Sequence, residues 1–252
     1  MAEVVATIHR VLSRGSSFPS LVESSSGRLH VMKLAGVGQG ARGLAGEFIC
    51  TRLAGALGLN VPAVEPILLP AGLPWRTGTD EFYDSLQRSV GWNLGVAFIP
   101  QARDVQASDL AAVPEVFLAR LATADALLQN VDRTLANPNL LRDEAGTYWA
   151  IDFGACLLIE RLARGAATLN RTLPRNHFLA GDSRFGPLGG AGSIRLAAEQ
   201  VEPAVAAVPE DWMRELGTSR RLLTDALTKY LHDIGAVDGH TRSWRAARHV
   251  RE

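Results

Sequence analysis

The chain has 252 residues, of which 47% are hydrophobic and 21% charged, a composition typical of a globular protein with one two-lobed unit or two small domains. Its 26 lysines and arginines balance its 26 aspartates and glutamates, so no overall field draws it to nucleic acid or to an anionic membrane. The sequence also lacks a run of about 18 apolar residues that would span a bilayer. We therefore expect no direct nucleic-acid binding and no membrane insertion.

Cysteine usage and the N-terminus bear on localisation. Cys50 and Cys156 both lie within apolar runs, where a free thiol packs as a small core side chain. The N-terminal residues lack the apolar stretch and the small-residue cleavage site of a secretory signal. Because a reducing compartment suits free thiols, we expect a cytoplasmic protein.

The N-terminal part of the chain is rich in β-prone runs. Residues 4–12, 20–23 and 28–34 are separated by Ser- and Gly-rich turns and predict an antiparallel meander. Apolar residues at helical spacing predict a helix from Arg42 to about Gly58. A further strand is predicted at 63–70.

The middle of the chain changes from strand to helix. Residues 71–92 are mixed and predict an insertion or flap with a short helix at 80–88, and residues 96–100 predict a linking strand. Residues 110–130 then carry a broad apolar stripe, with Pro114 tolerated in the first turn of the helix.

The C-terminal part is predicted to be helical around one hairpin. Short strands at 139–141 and 148–153 flank a turn. Residues 160–193 show little periodicity, and 195–208 and 214–235 predict two closing helices. The arginine-rich residues after 238 predict a solvated tail, with binding to an acidic partner as the alternative.

Oxygen-bearing side chains flank the predicted hairpin. Asp132 and Asn137 follow the long helix, and Asp152 ends the returning strand. Phosphoryl transfer needs a carboxylate near the attacking hydroxyl and oxygen ligands for magnesium. Since a hairpin brings its ends together, we expect Asn137 and Asp152 within reach of one metal ion and Asp132 on the open side. The alternative is that Asp132 and Asn137 only stabilise turns.

A charged residue also interrupts the strand at 28–34. Lys33 lies between apolar neighbours, where a lysine must be paired or lie close to an anion such as a phosphate. Glu47, on the following helix, can reach back to hold its ammonium. The alternative is an edge-strand lysine that points to solvent.

The loop at 13–20 is small and rich in hydroxyl and backbone donors. It could cover nucleotide phosphates. It has one glycine and matches neither common phosphate-loop pattern, so an ordinary hairpin turn is the alternative.

The order of these residues resembles the HipA-like kinases, particularly their short stand-alone members, and more distantly the phosphatidylinositol kinases. The resemblance is carried by Lys33, Glu47, the linking strand, N-V-D-R-T-x-x-N-P-N-L-L at 130–141 and I-D-F-G at 151–154, with further similarity at 47–62 and 208–212. It implies an α+β fold of two kinase-like lobes, with an antiparallel β-rich N-lobe at 1–101 and a mainly helical C-lobe at 102–252.

The resemblance also implies an ATP- and magnesium-dependent kinase with assigned site residues. Lys33 would bind the α- and β-phosphates with Glu47 as its ion-pair partner. Asp132 would orient or deprotonate the acceptor hydroxyl, and Asn137 and Asp152 would bind magnesium. Further contacts to adenine would come from Phe98 and Ile99, and contacts to the phosphates from Gly15, Ser16 and Ser17.

The acceptor is not fixed by the resemblance. Longer members of the family have an additional N-terminal subdomain and a glycine and histidine after the catalytic aspartate, where this chain has Arg133 and Thr134. A protein serine or threonine is the favoured acceptor. The alternatives are a small-molecule or lipid kinase, with an acceptor pocket from 71–95 and 160–193, and a non-catalytic nucleotide-binding scaffold.

Overall fold

The computed structural model describes residues 2–12, 18–74, 79–166, 169, 172–182 and 191–248, with backbone alone for 191–193 and 235–248. Its N-terminal part is rich in strands and its C-terminal part is helical, which confirms the predicted α+β class. Within these residues, no helix combines the length and the apolar character needed to cross a membrane.

The secondary structure elements are as follows. The described strands are β1 (Glu3–Val11), β2 (Ser20–Ser24), β3 (Leu29–Lys33), β4 (Val64–Leu69), β5 (Gly91–Ala97), β6 (Arg103–Asp104), β7 (Leu140–Arg142) and β8 (Tyr148–Ala150). The described helices are α1 (Gly40–Ala56), α2 (Asp80–Arg88), α3 (Glu115–Leu128), α4 (Leu158–Ala163), α5 (Ala191–Glu199), α6 (Val201–Ala206), α7 (Glu210–Leu216) and α8 (Arg220–Arg248), with a 3-10 helix at Ala107–Ala112.

Strands β1 to β5 form a closed barrel in the order β1-β2-β3-β5-β4. The pairings are antiparallel, as predicted, except that β1 pairs in parallel with β4 through Glu3↔Ile67 and Val4↔Leu68. The register of β1 against β2 shifts twice, and such irregularities bend a strand and increase its twist. This bending lets β1 reach β4. The predicted antiparallel meander of the first three strands is present, and the closing pair of β1 and β4 adds one parallel pairing to the antiparallel set.

The barrel interior determines where Lys33 points. Val5, Val22, Met32 and Ile67 are buried in one hydrophobic cluster inside the barrel. Because side chains alternate along a strand, Lys33 lies on the face opposite to Met32. It therefore faces away from the barrel interior.

The insertion between β4 and β5 closes part of the barrel. Its predicted helix at 80–88 is confirmed as α2, whose first turn is capped by the Thr79 hydroxyl, which accepts from the Phe82 amide. Phe82 and Leu86 pack into the cluster inside the barrel. The insertion is thus partly a structural cover for the barrel.

Helix α1 is the centre of the second, larger core. Its residues contact α3 to α7, β4 and β5, and its buried side chains belong to one hydrophobic cluster with side chains of the helices and the hairpin. Trp212 of α7 is completely buried, lies edge-on to Phe48 with ring centroids 6.3 Å apart, and donates through Nε1 to the Trp92 carbonyl at 3.2 Å. This one side chain fastens α7 to both α1 and β5.

Several predicted boundaries differ from the observed ones. The long helix begins at Glu115 rather than at 110, because Pro114 takes an extended ψ of 134° at the N-cap. The second hairpin strand ends at Ala150, since Asp152 has a left-handed φ of 59°. Gly217, with φ of 69°, divides the last predicted helix into α7 and α8.

Two other C-terminal predictions also change. The predicted helix at 195–208 is two helices, α5 and α6, which meet at Gln200. The backbone predicted as a solvated tail continues α8 as far as Arg248.

We predict that replacing Trp212 weakens the whole protein. Trp212→Ala should lower the free energy of unfolding by about 3–5 kcal/mol because it opens a cavity at a buried aromatic site. Trp212→Phe, which keeps a ring but loses the hydrogen bond, should cost about 1–2 kcal/mol. Urea unfolding followed by circular dichroism measures both.

Leu222 of α8 is the matched control for this measurement, because its side chain is 63% exposed. Leu222→Ala should change the free energy of unfolding by less than about 0.5 kcal/mol. If Trp212→Ala lowers the free energy of unfolding no more than Leu222→Ala does, Trp212 does not hold α7 against α1.

Candidate active site

A lysine between two carboxylates forms the charged centre of the molecule. Lys33 Nζ donates to Glu47 Oε1 at 2.5 Å and to Asp152 Oδ1 at 2.9 Å. The Lys33 side chain is 17% exposed, Glu47 5% and Asp152 45%. The predicted contact between Lys33 and Glu47 is thus present. The additional contact of Lys33 with Asp152, which follows the hairpin, was not predicted from the sequence.

The pKa values of the three groups reflect burial and mutual attraction. Burial alone lowers the pKa of Lys33, but the charges of Glu47 and Asp152 outweigh it and the net pKa lies above the ordinary value. Burial raises the pKa of Glu47, and the Lys33 ammonium only partly offsets this. Burial also acts to raise the pKa of Asp152, yet the attraction of Lys33 wins and the net pKa is lowered.

Gly154 allows the two carboxylates to approach. A Cβ at this position would lie 3.1 Å from Glu47 Oε2 and 3.3 Å from Asp152 Oδ1, closer than side chains normally pack. The Gly154 amide donates to Asp152 Oδ1 at 3.3 Å, and the Phe153 amide hydrogen-bonds to Glu47. The backbone after Asp152 therefore supports both carboxylates.

Asp132 and Asn137 form a second pair. Asn137 Nδ2 donates to Asp132 Oδ2 at 2.8 Å, and both residues are exposed. The Asp132 amide donates to Asn130 Oδ1 at 3.1 Å, which fixes the start of this loop. The sequence analysis did not anticipate this direct contact between Asp132 and Asn137.

The hairpin brings the chain segments of both pairs together. The Ile151 amide donates to the Asn139 carbonyl at 3.0 Å, beyond the last strand pair Leu140↔Ala150. Asn137 and Asp152 leave the hairpin at this same open end. Their joint binding of a metal ion remains a prediction.

The oxygen donors suit magnesium. In the described part of the chain, no three His, Cys, Asp or Glu side chains are grouped so as to hold a metal on their own. Mg²⁺ is usually bound by one or two carboxylates together with substrate phosphates and water. The Asp152 carboxylate and the Asn137 amide oxygen, both on partly or fully exposed side chains, fit such an ion.

The predicted nucleotide contacts on the linking segment are only partly available. The Phe98 amide donates to the Leu29 carbonyl at 3.0 Å, so this group is already used within the barrel. Ile99 is half-buried beside it. The residues expected to cap the phosphates, Gly15, Ser16 and Ser17, lie outside the described residues.

A cleft of about 430 Å³ lies next to the linking segment but not at the charged centre. It is lined by Pro62, Ala63, Ala97 to Pro100, Asp143 to Ala145 and Trp149. Strand β5 separates β4 from β3, and the cleft is lined by residues just before β4. Lys33, Glu47 and Asp152 are not among its lining residues.

Sequence reasoning missed two sets of residues around the site. Val31 and Val96 are paired across β3 and β5, are half-buried, and share the face of Lys33, two residues from Val31. Alternation along the strand at 28–34 was the signal for the first of them. The buried polar residues Asp125, Arg133 and His177 were also missed, because the apolar stripe of α3 conceals Asp125 and the other two lie in irregular chain.

Comparison with known proteins identifies the family of the chain. A family model described as HipA-like kinase matches residues 5–160, which is more than half of the chain. The chain therefore belongs to the HipA-like kinase family, and the resemblance drawn from the sequence is confirmed. A search of curated proteins gave no significant match.

Solved structures agree with the family at the level of the fold. A crystal structure of the Helicobacter pylori proinflammatory kinase CtkA matches with a TM-score of 0.57 and 15% identity, and the match covers 96% of this chain and 97% of that chain. At this identity the similarity establishes a shared fold.

We predict that Lys33→Met makes the free energy of unfolding depend on pH through the ionisation of Glu47. Without the ammonium, the folded-state pKa of buried Glu47 should rise further above its unfolded value. Its stabilising contribution is then present below the unfolded pKa and lost as the pH rises, so the free energy of unfolding should fall as the pH is raised from about 4.5 to neutrality. Urea unfolding across this range measures the effect.

The double variant Lys33→Met/Glu47→Gln is the control, because it removes only the titrating group from the same background. It should show a flatter pH profile than Lys33→Met. Parallel profiles for the single and double variants would contradict the prediction that Glu47 without its lysine has a raised pKa.

Proposed function

We propose that this chain is an ATP- and magnesium-dependent kinase that phosphorylates a serine or threonine hydroxyl of a protein. The proposal treats residues 1–101 and 102–252 as two kinase lobes that meet at the site. The observation that carries it is the contact of Lys33 with both Glu47 and Asp152, next to the pair of Asp132 and Asn137. These contacts support the proposal because they supply a cation, oxygen donors of the kind that bind magnesium, and an exposed carboxylate.

Lys33 suits the binding of nucleotide phosphates. Its raised pKa keeps the ammonium charged at neutral pH, and Glu47 holds it in place. Asp152 is the more exposed of its two partners. Phosphate oxygens can therefore share the ammonium from the side of Asp152 while the buried contact to Glu47 is kept.

Asp132 suits the role of acceptor of a proton. In the proposed transfer, the acceptor oxygen attacks the γ-phosphorus, the bond to the β–γ bridging oxygen breaks, and ADP leaves. The proton of the acceptor hydroxyl passes to Asp132. Asn137 holds Oδ2 of this carboxylate, which leaves Oδ1 to meet the hydroxyl. Mg²⁺ bound by Asp152 and Asn137 would neutralise charge on the phosphates.

The apolar face beside Lys33 suits adenine. Val31 and Val96 are paired neighbours on this face, and each keeps part of its surface accessible. The Ile99 amide is our candidate donor to the base, because the Phe98 amide is engaged. The loop with Gly15, Ser16 and Ser17 remains our candidate for covering the phosphates.

The surroundings of Asp132 favour a polypeptide acceptor over a small molecule. Val131 and Leu135, on the same loop, are 40% and 58% exposed. Exposed apolar side chains beside a reactive carboxylate can pack against the side chains that flank an acceptor hydroxyl. A small polar acceptor would not need them.

We predict that Mg²⁺ and ATP together stabilise the protein and that the two aspartates differ. At 100 times its dissociation constant, Mg-ATP should add about 2.7 kcal/mol to the free energy of unfolding. Asp132→Asn should keep this stabilisation and lower kcat by at least about 100-fold. Asp152→Asn should lose both, because it removes a charged metal ligand. Thermal unfolding and isothermal calorimetry measure binding.

A lack of any heat or stabilisation with Mg-ATP would refute the nucleotide site. Equal loss of ATP affinity in Asp132→Asn and Asp152→Asn would refute their separate roles.

We predict that label from γ-³²P-ATP enters protein. Purified enzyme is incubated with cell lysate, which is then separated into protein, lipid and small-molecule fractions, and the protein fraction is hydrolysed to identify the phosphoamino acid. Asp132→Asn is the matched control. Label above this control should appear as phosphoserine or phosphothreonine, and label confined to lipid or small molecules would contradict a protein acceptor.

A further inference from the structure

Arg133, the residue after Asp132, is completely buried, although arginine is rarely so. Its Nε donates to Asp125 Oδ2 at 2.6 Å. Its Nη1 donates to the carbonyls of Pro138 at 3.0 Å and Asn139 at 2.9 Å. One guanidinium therefore joins α3 to the chain that enters the hairpin.

The same guanidinium also reaches the chain that leaves the hairpin. Nη1 lies 3.4 Å from the Ile151 carbonyl, which immediately precedes Asp152. The guanidinium carbon lies 5.2 Å from the centre of the Phe153 ring, in a cation–π arrangement. Arg133 thus contacts residues on both sides of Asp152.

Asp125 is itself held from two further directions. Asn130 Nδ2 donates to its Oδ1 at 3.1 Å, and His177 Nε2 lies 3.0 Å from its Oδ2. His177 Nδ1 accepts from the Leu179 amide at 3.0 Å, so Nε2 carries the proton and donates to Asp125. The carboxylate cannot turn away from Arg133 without breaking these bonds.

The backbone that Arg133 contacts is in an unfavourable conformation. Asn139 and Asp152 have φ of 50° and 59°, in the left-handed region that non-glycine residues rarely adopt. Such conformations persist where the surroundings hold them. Arg133 bonds the carbonyl of Asn139 itself and that of Ile151, next to Asp152.

We propose that Arg133 is a positioning residue that sets the distance between Asp132 and the metal ligands Asn137 and Asp152, and that Asp125 fixes its orientation. This inference rests on the proposed function, since it concerns the same transfer. Arg133 touches neither phosphate nor acceptor in this scheme. It acts through the loop that carries Asp132 and through the two ends of the hairpin.

Lysine cannot replace this arginine. The ammonium of a lysine is a single point of donation, whereas the planar guanidinium donates from Nε and Nη1 in different directions at once. Arg133→Lys keeps the charge opposite Asp125 but loses the simultaneous contact to the hairpin carbonyls. It therefore separates positioning from charge.

The test compares Arg133→Lys with Arg120→Lys. Arg120 lies on α3 and serves as the control, because its guanidinium donates to the Gly58 carbonyl, at 2.9 Å, and not to residues of the site. Arg133→Lys should lower kcat by about 100-fold, as expected for misplaced reacting groups. The KM for ATP should change less than about 3-fold, because Lys33 and Glu47 are untouched, and half-activation should need more Mg²⁺. The control should match the wild type.

Asp125→Asn provides a second variant with the same shape, which carries the test if Arg133→Lys does not fold. It should reproduce the loss in kcat, and the double variant should be little worse than either, because the two residues act as one unit. The inference is overturned if Arg133→Lys and Asp125→Asn both have the same kcat and the same Mg²⁺ dependence as Arg120→Lys.

Hydrogen exchange of the nucleotide-free protein separates this inference from the proposed function. Arg133→Lys should speed exchange in peptides covering 137–141 and 150–154, and Arg120→Lys should not. If the wild type transfers no phosphate, the proposed function fails, while exchange still decides the role of Arg133. Unchanged exchange in both segments would overturn that role.

Discussion

The structure depends on one ammonium group shared by two carboxylates. Glu47 is almost fully buried, and a buried carboxylate without a partner is strongly destabilising, so Lys33 is required wherever Glu47 is charged. Lys33 lies at the end of a barrel strand, Glu47 on α1 and Asp152 after the hairpin. The contacts of Lys33 with Glu47 and Asp152 therefore fix the positions of β3, α1 and the chain after the hairpin relative to one another.

Arg133 and Asp125 form a second ion pair, which is fully buried. Arg133 and Asp125 are both inaccessible, and the hydrogen bonds of Arg133 Nε and Nη1 offset part of the cost of desolvation, whereas Nη2 is buried and finds no hydrogen-bond partner among the described residues. The two networks meet at the chain from Ile151 to Gly154. One holds this chain from the side of the barrel and the other from the side of α3, which explains how Asp152 keeps a left-handed conformation.

Much of the fold could be predicted from sequence because local patterns determine it. Strands β1 to β4, α1 and α2 follow from alternation, helical periodicity and turn residues, and Lys33 and Glu47 follow from charges in apolar surroundings. The strand β5 (Gly91–Ala97) was expected only as a linking strand at 96–100. The parallel pairing of β1 with β4 depends on how far a bent strand reaches, which no local pattern records. The burial of Arg133 was missed for a related reason, since an arginine in a polar loop gives no sign of the carbonyls that will surround it.

The spacing of the charged centre along the chain has a consequence for synthesis on the ribosome. Lys33 is 14 residues from Glu47 but 119 residues from Asp152. Since N-terminal segments emerge and begin to fold first, the lysine can pair with Glu47 while Asp152 has yet to be translated. The nascent chain can then bury Glu47 already neutralised, and the Lys33 ammonium gains its second carboxylate, Asp152, only when the C-terminal half arrives.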